Sequence, residues 1–442
     1  MPYVQSPPDF QQLLTDLAAE DATSVLTGSV DDPEYLHWDR LRHLTPPDGL
    51  THEKWWLRLK LARTADFRWL PLDGPGIGRS GFTVPDRVLE LLHFADQHLA
   101  GEIGTDEVVT ADDEARRRYL VNSLIEEAIR SSQLEGATTS RRVAKELLQS
   151  GREPANRSER MILNNHRAMQ FMREGLGDRL TPENVLELHR IVTDGTLDDP
   201  DAAGRLQRPG DDRVAVFDRE GARLIQQPPP AELLPERLVA MCAFANAEAD
   251  ERFIHPVIRA IVLHFWVGFD HPFEDGNGRL ARALFYWSMR TQGYWLVEYL
   301  SISRIFRQAP AQYTRSFQYV ETDGGDTTYF LLYQLETIQR ATGELHRYLR
   351  SKAAEVRKVE SLLKTDTGFN QRQLALLGYA MRHPNTTFTF GVHAASHGVT
   401  HETARSDLLT LETRGLLRRH RAGRQYRFTT PPDLAERLGN ES

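Results

Sequence analysis

The segment Pro256–Phe269, PVIRAIVLHFWVGF, is apolar on nearly every face. A helix of that kind has no side to turn to water, so it belongs in the middle of a bundle. Its most apolar run, Ile261–Phe269, is nine residues long and already contains a His and a Gly. About 20 residues are needed to cross a bilayer, so burial within protein is expected and membrane insertion is not. The start, MPYVQSPPDFQQLL, lacks the basic flank and apolar run of a signal peptide. Cys242 is the one cysteine of the chain, which rules out an intrachain disulfide and a Cys-based zinc site. A cytoplasmic protein is expected.

Other elements follow from periodicity and turn residues. YLVNSLIEEAIRSSQLEG predicts a helix with Leu120, Leu124, Ile125, Ala128 and Ile129 on its inner face, ended by Gly136. Within DRVAVFDREGARLIQ, Val214 and Val216, the turn Arg219-Glu220-Gly221, and Leu224 with Ile225 predict a hairpin, closed off by Pro228, Pro229 and Pro230. The Gly- and Pro-rich stretch LDGPGIGRSG reads as a loop, because its glycines do not open a helix after a strand. Trp55 and Trp56 read as core or interface aromatics.

Directly after the apolar helix comes His271-Pro272-Phe273-Glu274-Asp275-Gly276-Asn277-Gly278-Arg279, then Arg282. An imidazole at a helix end can take a proton near neutral pH. Gly276 and Gly278 flank Asn277 where a second helix opens, and successive backbone N–H groups there form an anion nest. Arg279 and Arg282 are three residues apart and share a helix face, a pair of guanidinium forks suited to a polyphosphate. Asp275 offers the hard oxygen that Mg²⁺ prefers beside phosphates. Together these residues describe a nucleoside triphosphate held for attack by a hydroxyl.

The segment resembles the signature loop of the Fic family, H-x-F-x-(D/E)-G-N-G-R-x-x-R, at every fixed position. The likeness extends over roughly Arg117–Leu345, taking in the hairpin with its triple proline, SISRIFRQAPAQYTRSFQ and GGDTTYF. Most members transfer AMP from ATP to a Ser, Thr or Tyr hydroxyl of a target protein. The resemblance implies His271 as the base and Asp275 as the ligand of Mg²⁺ or Mn²⁺. It implies Gly276, Asn277 and Gly278 around the α-phosphate, Arg279 and Arg282 on the other phosphates, and Phe273 as a packing anchor. It also implies a hairpin flap that docks the target, and Tyr313 in the adenine pocket. Gly278, where the kinase-like branch has lysine, favours nucleotidyl transfer.

Upstream, Ser131-Ser132-Gln133-Leu134-Glu135-Gly136 resembles the family's inhibitory motif, (S/T)-x-x-x-E-(G/N). Its implied role is a carboxylate, Glu135, paired with Arg282 so that ATP binds with its phosphates turned away from productive geometry. The plain alternative for Glu135 is a solvated residue at a helix end. The same carboxylate also fits an enzyme that orients water and removes AMP, or one that runs in both directions.

The C-terminal stretch differs in charge. Gln371–Thr430 holds nine Arg, no Lys and three acids, a local charge of +6 in a chain of net charge −8. Its pattern, GFNQRQLALLGYAMRHP with Leu374, Leu376, Leu377 and Tyr379 apolar, TFTF, VHAASHG, THETARSDLLTLETRGLL and a hairpin RRHRAGRQYRF turning at Gly423, resembles a winged helix-turn-helix. That module would turn Thr400, His401, Thr403 and Arg405 to a DNA groove, with Arg418, Arg419, Arg421, Arg424 and Arg427 on phosphates. Docking of an acidic protein fits the same patch.

Cys242, His255 and His264 read as structural. The expected fold is mainly α. A helical region of unassigned role (residues 1–105) precedes a Fic-type helical bundle core with a small β-hairpin flap and inhibitory helix (106–352), then a winged helix (365–442). The expected function is protein adenylylation restrained by Glu135. The rivals are removal of AMP, and a DNA-binding or scaffold protein whose Fic core only senses nucleotide. Expected partners are ATP, a target protein with an exposed hydroxyl, and DNA or protein at the winged helix, with a homodimer left open.

Overall fold

The computed structural model describes residues 4–17, 25, 32, 34–47, 49–74, 77–100, 113–211, 213, 216–217, 224–226, 228–248, 252–365, 368–382, 386–422 and 425–440. They fall into two compact units, a larger one within 1–103 and 112–345 and a smaller one within 346–442. No helix among the described residues is long and apolar enough to cross a membrane.

The larger unit begins with α1 (Phe10–Thr15), α2 (Trp38–Leu41) and α3 (His52–Ala65), a hairpin of β1 (Arg68–Gly74) and β2 (Gly78–Phe82), and α4 (Asp86–Leu99). Then come α5 (Asp113–Leu134), α6 (Arg141–Ser150), α7 (Arg157–Glu174) and α8 (Pro182–Thr193), and the short strands β3 (Val216–Phe217) and β4 (Leu224–Gln226). It continues with α9 (Leu234–Ala245), α10 (Pro256–Asp270), α11 (Asn277–Thr291), α12 (Ile302–Gln308), α13 (Pro310–Thr322) and the first part of α14 (Thr328–Thr365), whose residues from His346 on fall within the smaller unit.

Helix α10 is the apolar segment singled out above, and Val257–Val267, Phe269 and Asp270 are all buried. Pro256 occupies its first turn, where a missing N–H costs nothing, and the His255 imidazole accepts the Val257 N–H. It packs against α9 and α11. Helix α5 runs to Leu134, with Gly136 in the left-handed region at φ 97°, and its five expected inner residues are buried. It packs against α7 and α12.

Strands β3 and β4 pair antiparallel as the alternation predicts. Val214 and the turn Arg219-Glu220-Gly221 lie outside the described residues. The LDGPGIGRSG stretch is not the expected loop: Leu72–Gly74 and Gly78–Gly81 are strand, paired antiparallel in β1–β2. Glycine is tolerated there because backbones crowd it. A Cβ on Gly81 would lie 2.7 Å from the Arg68 carbonyl, while Gly81 itself exchanges hydrogen bonds with Gly325 and Thr327.

The region up to residue 103 is part of the larger unit. Tyr35 donates to Asp326 (2.7 Å), Arg63 to the Tyr329 hydroxyl (2.8 Å), and Lys60 pairs with Asp323 (3.0 Å), all in buried surroundings. Trp56 is fully buried with Trp38, Leu41 and Leu59, and Trp55 packs against that cluster.

The smaller unit holds α15 (Gln371–Arg382), β5 (Thr387–Phe388), α16 (Phe390–His397), α17 (His401–Thr413), β6 (Arg418–Ala422), β7 (Gln425–Thr429) and α18 (Leu434–Asn440). Its sheet runs β5-β7-β6, antiparallel throughout. Leu376, Leu377, Leu408, Leu411 and Phe428 form the core. Tyr379 is 46% exposed rather than buried, since it lies two residues, about 200° of helix, beyond Leu377. Gly423, the expected turn of the β6–β7 hairpin, lies outside the described residues.

One buried carboxylate ties three helices of this unit together. Asp407 of α17 accepts from Arg372 (2.8 Å) and Asn370 (2.7 Å) and meets His393 of α16 (3.2 Å). Burial alone would raise its pKa, but the bonds from Arg372, Asn370 and His393 outweigh it and hold the carboxyl below its usual range. The stabilisation is therefore whole above about pH 4 and fades as pH falls through the lower folded pKa. Asp407→Ala should cost the smaller unit about 3 kcal/mol. Hydrogen exchange of peptides from 371–413 in the full chain checks this, and unchanged protection at pH 7 would contradict it.

Candidate active site

The loop from α10 to α11 carries His271 through Gly276. His271 caps α10 in the left-handed region, at φ 43° and ψ 56°, and its N–H reaches the Val267 carbonyl. A non-glycine residue rarely sits there, and surrounding contacts must hold it. Two arginines do so. Arg213 donates to the carbonyls of Asp270 (2.8 Å) and His271 (3.3 Å), satisfying the end of α10. Arg237 grips the Asp270 carboxylate (2.6 Å), which also accepts from Trp266 (3.0 Å).

The His271 ring faces the glycine turn. Asn277 Nδ2 lies 3.3 Å from both ring nitrogens. The same Asn277 closes the loop on Phe273, accepting its N–H (3.0 Å) and donating to its carbonyl (2.8 Å). Helix α11 starts behind Gly276, at φ 87°, with no side-chain cap. Its first N–H groups thus point at the loop with the positive end of the helix dipole behind them, an arrangement that binds anions.

The two arginines of α11 are both fully buried but take different partners. Arg279 donates to the Val192 carbonyl (3.0 Å) and to Asp275 (3.2 Å), so it orients that carboxylate. Arg282 donates through Nε to the Ser131 hydroxyl (2.8 Å) and through Nη2 to Glu135 (2.7 Å), while its Nη1 has no hydrogen-bond partner. Burial opposes the Arg282 charge, but Glu135 leads the groups that outweigh it and raise its pKa.

Glu135 lies directly over the glycine turn: a Cβ on Gly278 would collide with its carboxylate. Glu127, Ser131 and Glu135 follow one another at four-residue steps and so line one side of α5 and its end. Glu127 is fully buried, accepts from Ser301 (2.9 Å) and the Ser303 backbone (3.1 Å), and carries a pKa raised by burial. Four-residue spacing from Ser131 was the sequence signal for Glu127. Arg213, Arg237 and His189, which meets the Asp275 carbonyl, carried no signal of their own.

Tyr313 is beside Arg282, but its hydroxyl meets His264 (2.9 Å) and its ring is stacked on Phe306 (4.4 Å). That leaves one ring face already covered by protein. His264 is buried with its pKa pushed down to about 3, and burial pushes the Cys242 thiol up to about 12, so neither is reactive. No cluster of three or more His, Cys, Asp or Glu able to hold a metal occurs among the described residues. The Asp275 carboxylate, 42% exposed, suits a divalent cation that takes its remaining oxygens from phosphates and water.

In the smaller unit Thr400 caps α17 through the Thr403 N–H and hydroxyl (3.3 and 2.9 Å). His401 is exposed and stands edge-on to Phe390, and Arg405 faces Glu402 at 3.5 Å. Arg418 and Arg421 are exposed on β6, whereas Arg419 pairs with Glu412 (3.0 Å). Arg424 lies outside the described residues.

Residues 179–289, which span α8 to most of α11, match the model of the Fic/DOC family. Over 168 residues, 36% of the chain, it is 30% identical to protein adenylyltransferase fic-1 of Caenorhabditis elegans. It is 29% identical over 168 residues to the protein of the same name in Caenorhabditis briggsae. The match spans only 30% and 31% of those two relatives. The crystal structure of a Fic family protein from Desulfovibrio desulfuricans superposes with a TM-score of 0.53 at 18% identity, covering 79% of this chain and 98% of that one. In sequence over 179–289, and in fold over most of its length, the chain is similar to proteins of the Fic/DOC family.

Proposed function

We propose that this chain transfers AMP from MgATP to a Ser, Thr or Tyr hydroxyl of a target protein, and that Glu135 holds the activity down. The observation that carries the reading is the meeting of His271, the uncapped start of α11 and a buried Arg282 with an unpartnered Nη1 around one short loop. His271 takes the proton of the attacking hydroxyl. The hydroxyl oxygen bonds to the α-phosphorus, the bond from that phosphorus to the bridging oxygen breaks, and pyrophosphate leaves. The N–H groups of α11 oppose the charge that develops on the α-phosphate oxygens. Arg282 is the cation for the terminal phosphate once Glu135 gives it up. Asp275, oriented by Arg279, would hold Mg²⁺ or Mn²⁺, which neutralises the triphosphate.

Full-length Glu135→Gly protein, given ATP labelled with ³²P at either the α- or the γ-phosphate, tests the reading. Label on protein from the α-position alone is expected. Transfer from the γ-position would make the enzyme a kinase, and no label from either would refute it. Removal of AMP is favoured as a second reading by the Glu135 carboxylate lying against Gly278; release of AMP from a modified target without ATP would establish it. For the smaller unit we propose DNA contact through exposed Arg405, Arg418 and Arg421. The expected signature is an affinity that drops steeply with added salt, while no binding at low salt would leave protein docking.

A further inference from the structure

The phosphate loop leans on an imidazole that the proposed chemistry does not touch. His189 of α8 is fully buried and both ring nitrogens are engaged. Nδ1 faces the N–H of Gly204 at 2.9 Å. A backbone N–H can only donate, so Nδ1 is an acceptor without a proton. Nε2 therefore carries the ring proton and donates it to the Asp275 carbonyl at 2.8 Å. The ring also lies flat on Phe273, with centroids 3.7 Å apart and planes within 11°. Gly276 presses on the same residue: a Cβ there would stand 3.3 Å from Nε2 and 2.7 Å from Thr193 Cγ2.

Gly204 is not an isolated contact. The segment it opens reaches the loop twice more, through the Gln207 N–H to the Pro272 carbonyl (3.0 Å) and through Arg213 to His271. The His189 imidazole is thus one of three ties between this segment, which leads to the β3–β4 hairpin, and the loop, and it is the one that reaches Asp275. We propose that His189 is a positioning residue for AMP transfer, acting as the Nε2-protonated tautomer to fix Asp275, Gly276 and the start of α11. The claim rests on the adenylylation reading. A shift of about 1 Å in such a loop is enough to cost about 100-fold in rate.

The test uses the full chain in the Glu135→Gly background. His189→Phe keeps an aromatic ring against Phe273 but removes both hydrogen bonds. It should lower kcat for AMP transfer by about 100-fold and change KM for MgATP by less than about threefold. His189→Gln, which again offers a donor and an acceptor, should recover at least about a tenth of the parent rate. A parent-like rate in His189→Phe, or equal loss in both variants, overturns the proposal. Nitrogen-15 NMR of histidine-labelled parent protein decides without any substitution: protonated Nε2 and bare Nδ1 are expected, and an Nδ1-protonated ring overturns it. No transfer by the Glu135→Gly parent counts against the enzymatic reading alone. Transfer by the parent with an unaltered rate in His189→Phe counts against His189 alone.

Discussion

In the Glu135→Gly background, His271→Ala is expected to lower AMP transfer by about 100- to 10,000-fold, the usual contribution of a positioned general base. ATP affinity should stay nearly unchanged. The groups placed to grip the triphosphate are the start of α11 and Arg282; Asn277 touches the imidazole but is also held by two hydrogen bonds with Phe273, and Arg282 is held by Ser131. A second variant separates chemistry from backbone. His271 sits at φ 43°, where alanine costs about 1 kcal/mol and glycine costs nothing. If proton transfer is the whole effect, His271→Gly and His271→Ala fall to the same rate although the glycine variant is the more stable. Single-turnover labelling and equilibrium nucleotide binding measure the two quantities. Retained transfer in either variant would remove His271 from the mechanism.

Glu135→Gly is expected to raise transfer by about 10- to 100-fold, the size of a hydrogen bond between charged groups set against ATP binding in the productive pose. The Glu135 side chain is 29% exposed, so solvent weakens the pair and a larger effect is not expected. Arg282 keeps its place after the substitution, because Ser131 still holds Nε and its neighbours still bury it. The fold should tolerate the change, since α5 ends at Leu134 and residue 135 is already past the helix. Glu135→Gln, which keeps the shape and loses the charge, should fall between parent and glycine variant. Equal labelling by all three proteins would discard the brake and return Glu135 to a solvated residue at a helix end.

The elements that could be read in advance were those whose signal is local. The all-round apolarity of α10, the inner stripe of α5 ending at Gly136, and the hairpin stopped by Pro228–Pro230 each depend on residues a few places apart. The β1–β2 hairpin was misread for the converse reason. Its glycines have no propensity for a strand: Gly74 pairs with Gly78 across the hairpin, and Gly81 is held by Gly325 and Thr327, some 245 residues along the chain. Tyr379 and Tyr313 show a similar limit: periodicity and spacing located them without saying that the first faces solvent and that the second is already stacked on Phe306.

The order of residues from His271 to Arg282, taken alone, specified the chemistry on offer: an imidazole, an anion nest, a carboxylate and two cations within one short loop and the helix start that follows it. Folding then divided those groups by partner. Arg279 went to Asp275 and Val192, Arg282 to Ser131 and Glu135, and the loop was braced by His189, Arg213 and Arg237. A helix or turn follows from neighbours along the chain, whereas a buried charge takes whatever counter-charge packing brings within reach. For Arg282 that counter-charge comes from 147 residues upstream: the motif around Glu135 implies the pair by resemblance alone, and only packing brings the two charges together.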